Sequence, residues 1–145
     1  MAFRGGFEPG KNAFVHPITV VPTDIDELGH ANNVVWVRWL NEAAVAHAAA
    51  VGFGSAGIHA LSVLWVVRRH DIEYLLPALV DERLEAVTWA HTLSGATSLR
   101  RTLILRDGKV CARAETTWVL IDETSHKPRR IPAELLVAYG FAAAT

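Results

Sequence analysis

Cysteine is almost absent from this sequence: Cys111 is the only one in 145 residues. No intramolecular disulfide can form, which suits a reducing compartment and gives the expectation of a cytoplasmic protein. Also missing is any run approaching the ~20 apolar residues that a membrane span needs. Residues 1–10 have no apolar core and carry Glu8, so they do not read as a secretory signal. Neither sign of charge is in surplus, since 14 Lys and Arg against 15 Asp and Glu leave a formal net charge of -1. A dedicated nucleic-acid binder normally carries a strongly basic face, so neither nucleic acid nor a membrane is an expected partner. Metal-ligand spacing is lacking too. His59, His70, His91 and His126 form nothing like H-E-x-x-H, and the expectation is no bound metal and no cofactor.

What the chain does have is apolar content. Half of it (51%) is hydrophobic and a fifth (20%) is charged, a balance that suits a globular chain with one core. Residues 1–12 read as a loose Gly-rich leader and residues 13–145 as a single domain. Residues 14–21 read as a strand ended by Pro22. A polar, turn-rich stretch follows, and Asn32 or Asn33 offers an N-cap. Residues 34–51 then read as a helix closed by Gly52. At 100° per residue Arg38, Asn41 and Glu42 fall on one thin stripe and His47 on the opposite side, so the helix should be mostly buried. Its length of roughly 27 Å matches eight strand residues at ~3.3 Å, which lets a sheet cover it end to end.

The rest favours strands: residues 61–74, 84–93, 99–105 and 110–121, with Asp107-Gly108 as a hairpin turn. A basic loop, Lys127-Pro128-Arg129-Arg130, leads through Pro132 to a short C-terminal helix. A strand, one long helix and then consecutive antiparallel strands give an α+β chain with one buried helix against one sheet.

Chemistry concentrates just before the long helix. Asp24 and Asp26 sit with Gly29, His30, Asn32 and Asn33 where a helix presents unpaired N–H groups and the positive end of its dipole. Such groups stabilise a carbonyl oxygen that turns negative under attack, and a carboxylate beside them can serve as nucleophile or general base. The spacing equally suits two loop residues that cap turns and the helix.

The run Asp24-Ile25-Asp26-Glu27-Leu28-Gly29-His30-Ala31-Asn32-Asn33, with Trp36 and Glu42 beyond it, resembles the signature D-x-D-x-x-G-H-v-N-N-x-x-Y of the 4-hydroxybenzoyl-CoA thioesterase-like hotdog family. Residues 68–78 are similar to that family's second strand and its proline bulge. Asp81-Glu82-Arg83-Leu84, the stretch from Asp107-Gly108 to Asp122, and Arg130-Ile131-Pro132 follow in the family's order, so the resemblance covers roughly residues 14–135.

It implies a hotdog fold, a curved antiparallel sheet wrapped around a long central helix, in a homodimer or homotetramer with sites at the dimer interface. It implies an acyl-CoA thioesterase, or one acting on acyl carrier protein, that yields free acid and thiol. Asp26 would be the catalytic carboxylate, nucleophile or general base, and the Asn33 N–H would polarise the carbonyl. His30 is a catalytic candidate from the same motif. Gly29, Asn32 and Trp36 would line the substrate pocket, with Trp36 standing where Tyr is usual and Ala31 where Val is usual. Arg100, Arg101, Arg129 and Arg130 are candidates for the CoA phosphates, since guanidinium groups bind phosphate well. Asp24 is expected to support the loop, Glu42 to be a buried partner across the helix pair, His47 a satisfied core or interface histidine, and Cys111 structural. Two competing readings are a non-catalytic acyl-CoA-binding hotdog protein and a hotdog dehydratase or hydratase.

Overall fold

A computed structural model describes residues 7–143. Five strands, β1 (Phe14–Thr19), β2 (Val63–Tyr74), β3 (Arg83–Ser94), β4 (Thr97–Arg106) and β5 (Lys109–Asp122), form one antiparallel sheet in the order β1-β3-β4-β5-β2. The helix α1 (Asn33–Ala50) lies against this curved sheet, and two short helices, α2 (Ser55–Ala60) and α3 (Ala133–Ala138), close its far end. The architecture is the α+β hotdog arrangement anticipated from the sequence.

Local chemistry sets the main elements. Asn32 is extended (φ -62°, ψ 143°) and its side chain accepts the Val34 N–H at 3.0 Å, so it is the N-cap. At the other end Gly52, with φ +91°, turns the chain out of the helix. Val35, Trp36, Trp39, Leu40, Ala43, Ala44 and His47 repeat at helical spacing and form the buried face of α1. The first five pack on Ile18, Leu84, Ala86, Ile104 and Ala114 of the sheet; each large apolar side chain so buried contributes ~1.5–3 kcal/mol. Asp107 and Gly108 both take positive φ, 49° and 77°, as a two-residue hairpin requires. Pro17 is tolerated because β1 is an edge strand.

The burial of α1 is narrower than its composition predicts. Val34 and Val45 are exposed, 74% and 65%, because the sheet covers one side of the helix only. Residues 55–60, unassigned from the sequence, form α2, and β2 begins at Val63 rather than residue 61, since Ser62 turns the chain with φ +58°. Of the expected loose leader, residues 1–6 lie outside the described residues. Asn12 is docked on β3, where its side chain exchanges two hydrogen bonds with the Ala90 backbone, at 2.9 and 3.1 Å.

β2 is the other edge strand, and Leu64, Val66, Val67 and Tyr74 are exposed along it. Among the described residues no helix is long and apolar enough to cross a membrane.

Candidate active site

Between β1 and α1 the chain folds a small closed loop. Ile25 and Ala31 form an isolated antiparallel bridge. The Asp26 N–H donates to the His30 carbonyl at 2.9 Å, and the Gly29 N–H donates back to the Asp26 carbonyl at 3.1 Å. Gly29 closes the turn with φ +81°, a conformation that strains any residue with a Cβ. The loop is fastened to its surroundings by the Asn32 N–H on the Asp24 carbonyl and by the Ala31 N–H on the Ala78 carbonyl, 2.9 and 2.8 Å. The proline-containing segment after β2 is thus part of the site's scaffold.

The two aspartates are placed differently. Asp24 is buried; one carboxylate oxygen accepts the Val21 N–H at 3.0 Å and the other accepts from Arg38 Nη2 at 2.8 Å. Arg38 reaches it from the second turn of α1, and that hydrogen bond, the largest influence, holds the guanidinium pKa above its ordinary value. Glu42 joins the same arginine at 3.2 Å and is half exposed, so it is a surface partner within its own helix and not a buried one. Asp26 is half-buried, with Oδ1 accepting the Leu28 N–H at 2.9 Å and, at a longer 3.4 Å, the His30 N–H. Its Oδ2 has no hydrogen-bond partner among the described residues, so one oxygen is oriented and the other is available.

Next to this loop, the first turn of α1 offers its N–H groups. Val34 and Val35 donate to the Asn32 side chain and carbonyl. The Asn33 N–H has no acceptor among the described residues, as helix geometry dictates for a first residue. Tyr74 at the end of β2 reaches the Asn33 carbonyl with its hydroxyl at 3.4 Å, and its ring meets Trp36 edge-on with centroids 5.9 Å apart. Trp36 in turn packs edge-on against Trp39, and it is buried beneath the helix start. Sequence reasoning did not single out Tyr74; its signal was the last aromatic of a strand that ends before the proline bulge. His30 stands exposed, and among the described residues its imidazole has no hydrogen-bond partner.

The arginine candidates separate. Arg100 is 6% exposed, and its Nη1 contacts His47 Nδ1 at 2.9 Å and Thr88 Oγ1 at 3.1 Å. The expectation of Arg100 as a surface contact for CoA phosphate is therefore corrected: alternation along β4 turns it inward with Ser98, Thr102 and Ile104. Arg101 lies on the other face, paired with Glu115 at 3.1 Å. Arg129 donates to the Leu61 and Ser62 carbonyls at 3.4 and 3.3 Å, and Arg130 is exposed beside it. Both sit where β2 begins, whereas Tyr74 and the Asp26 loop sit where it ends, roughly 35–40 Å away along the strand. Within the chain Arg129, Arg130 and Asp26 are not brought together.

His47 is a satisfied core histidine. A guanidinium only donates, so Nδ1 is the acceptor and the ring is the neutral tautomer with its proton on Nε2. Burial first, and then the Arg100 charge, lower its pKa from 6.5 to about 4. Cys111 is fully buried in β5, and burial pushes its thiol upward. Among the described residues no group of three or more His, Cys, Asp and Glu is gathered that could hold a metal ion. A cavity of about 280 Å³ opens beside the second half of α1, around Ala44 and Ala48. It lies ~16–22 Å from Asn33 along the helix axis, so within the chain it is apart from the Asp26 loop.

Known proteins agree with this architecture. The profile of the thioesterase-like superfamily matches residues 20–139. Acyl-CoA thioester hydrolase YbgC from Escherichia coli O6:H1 is 27% identical over 128 residues, 87% of this chain and 95% of that protein. Oleoyl-acyl carrier protein thioesterase 2, chloroplastic, from Arabidopsis thaliana is 33% identical over 110 residues. That match takes in 69% of this chain, which spans only 29% of the plant protein's length. Among solved structures, the fold is shared with DHNA-CoA thioesterase from Staphylococcus aureus, with a TM-score of 0.81 at 19% identity, covering 88% of each chain. By profile and by fold, the chain belongs to the thioesterase-like superfamily of hotdog enzymes.

Proposed function

We propose that this chain hydrolyses an acyl-CoA thioester to the free acid and CoA, with Asp26 as the reacting carboxylate. The observation that carries the reading is the pairing of Asp26, one oxygen held and one available, with an α1 first turn whose Asn33 N–H lacks an acceptor. A thioester carbonyl oxygen placed on that N–H would be stabilised as it gains charge. Asp26 then either attacks the carbonyl carbon, expelling the CoA thiolate and leaving a mixed anhydride that water cleaves, or takes a proton from the water that attacks. A thiol with a pKa of ~8.5 leaves as thiolate without a strong general acid, so one carboxylate suffices in both routes. His30 and Asn32 border the thioester, Gly29 holds the turn, and Trp36 supports the acyl end of the site.

The working unit in this reading is a homodimer paired through the β2 edge. A long, exposed edge strand is a template for a second strand, and β2 is such an edge, with exposed Leu64, Val66 and Val67 in its first half and charged residues beyond them. Pairing two β2 edges antiparallel sets the beginning of one beside the end of the other. The Arg129 and Arg130 loop of one copy then comes alongside the Asp26 loop of its partner, where guanidinium groups meet CoA phosphates. We place the enzyme in the cytoplasm, where its buried thiol stays reduced.

Thiol release from a panel of acyl-CoAs, run beside the same acyl groups on acyl carrier protein, tests the reading. Cleavage of CoA thioesters supports it. Cleavage of carrier-protein thioesters alone moves the substrate to the carrier, and binding of both without release makes the chain a binding protein.

A further inference from the structure

The half-open cavity beside α1 is built differently from the Asp26 site. Ala44, Ala48, Ile58, Leu93, Trp65 and Trp118 give it mostly apolar walls, yet Arg100 lies on the same wall. No Asp or Glu lines the cavity, and no carboxylate bonds to Arg100 among the described residues. A buried guanidinium without a counter-charge is costly unless something neutralises it.

Its neighbours are neutral acceptors only. Nη1 spends its hydrogens on His47 and Thr88, and the Tyr139 hydroxyl and ring lie against the guanidinium, with Cζ 5.7 Å from the ring centroid. The guanidinium fork has more N–H groups than these acceptors satisfy.

A second donor stands nearby. The Trp118 indole N–H is buried with no hydrogen-bond partner, although a buried indole N–H ordinarily finds one. Ser98 pairs with Trp118 and Arg100 with Thr116 in an unbroken register between β4 and β5. Trp118 and Arg100 therefore project from the same sheet face as diagonal neighbours, ~7–8 Å apart at their origins. Two such donors over an apolar cavity match one ligand chemistry, an acceptor-only anionic head on a hydrocarbon body.

We propose that this cavity binds an apolar monocarboxylate, with its carboxylate between Arg100 and the Trp118 N–H and its hydrocarbon against Ala44, Ala48, Ile58 and Leu93. Within one chain the cavity lies apart from the Asp26 loop, but Leu64 and Trp65 at the start of β2 wall it, so in the twofold pairing proposed above it opens beside the partner's Asp26 loop. Its readout is binding, which is measured whether or not the chain hydrolyses a thioester.

The test is calorimetric titration of the full chain with octanoate and with its neutral counterpart octanamide. Wild type should bind one octanoate per chain at least about tenfold more tightly than octanamide, the advantage of a charge-assisted pair. Arg100→Met should bind the two alike, and Trp118→Phe should weaken octanoate several-fold. If Arg100→Met does not fold, Ala48→Phe, which fills the cavity and keeps the arginine, should abolish octanoate binding. The proposal is overturned if wild type fails to bind octanoate or does not distinguish it from octanamide. It is equally overturned if octanoate binding survives Arg100→Met or Ala48→Phe.

Discussion

Asp24 and Asp26 are two residues apart and are held in opposite ways: Asp24 is buried with both carboxylate oxygens bonded, while Asp26 is half-buried with Oδ2 unbonded among the described residues. The first is therefore a fastening for the loop and the second the group left able to react. Asp24→Ala should lower stability by ~2 kcal/mol, chiefly by stranding the Val21 N–H, since Arg38 is half exposed and can turn to water. Urea unfolding of this variant beside Asp26→Asn checks the difference, because Asp26→Asn should shift the midpoint little.

The loop turn should be sensitive at Gly29. With φ at +81° and no atom within 4 Å of an added Cβ, Gly29→Ala meets backbone strain and not a clash. The expected cost is ~1 kcal/mol, together with a fall in kcat as the Asp26 carboxylate loses its Leu28 and His30 N–H partners. Thermal melting and steady-state thiol release on the same sample measure both.

Acid should weaken the protein through His47. Its folded pKa of about 4 lies below the 6.5 of an exposed imidazole, so between those values the unfolded chain binds the additional proton. This contribution is fully present above pH ~6.5 and is lost as the pH falls toward ~4, up to ~3 kcal/mol. Carboxylates add their own acid sensitivity, so the informative comparison is His47→Gln. Its stability should change less than wild type between pH 6.5 and 4 in parallel denaturation curves.

Assembly through β2 predicts that a charge on that edge separates the copies. Val66 is exposed on β2, and Val66→Asp would oppose two like charges across a twofold pairing. Sedimentation should show a dimer for wild type and a monomer for the variant. A variant that remains folded should also lose hydrolysis, because the Arg129 and Arg130 loop of the second copy is no longer beside Asp26.

Much of this fold was legible in the chain. The long helix, its Asn32 cap and the Asp107-Gly108 hairpin each rest on local chemistry, whereas the pairing of β2 with β5 and of β1 with β3 does not. What stayed hidden depends on register or on packing. Arg100 and Arg101 both read as candidates for the CoA phosphates, yet strand alternation sends one inward and one outward, and only pairing with β3 and β5 decides which. Residues 55–60 are too few, and interrupted by Gly57, to show a helical period. Within the site, Asp26, Gly29, Asn32 and Asn33 are neighbours in sequence and were readable together. Tyr74 comes to the Asn33 carbonyl from forty-one residues away, a distance no local pattern spans.

The measurement that tests the central claim most directly is the rate of thiol release by Asp26→Asn against wild type, on the acyl-CoA that wild type cleaves best. The account predicts a fall of ~10²-fold or more in kcat, with an unchanged unfolding midpoint and an unchanged oligomeric state. A folded, assembled Asp26→Asn variant that hydrolyses its substrate at the wild-type rate would contradict it.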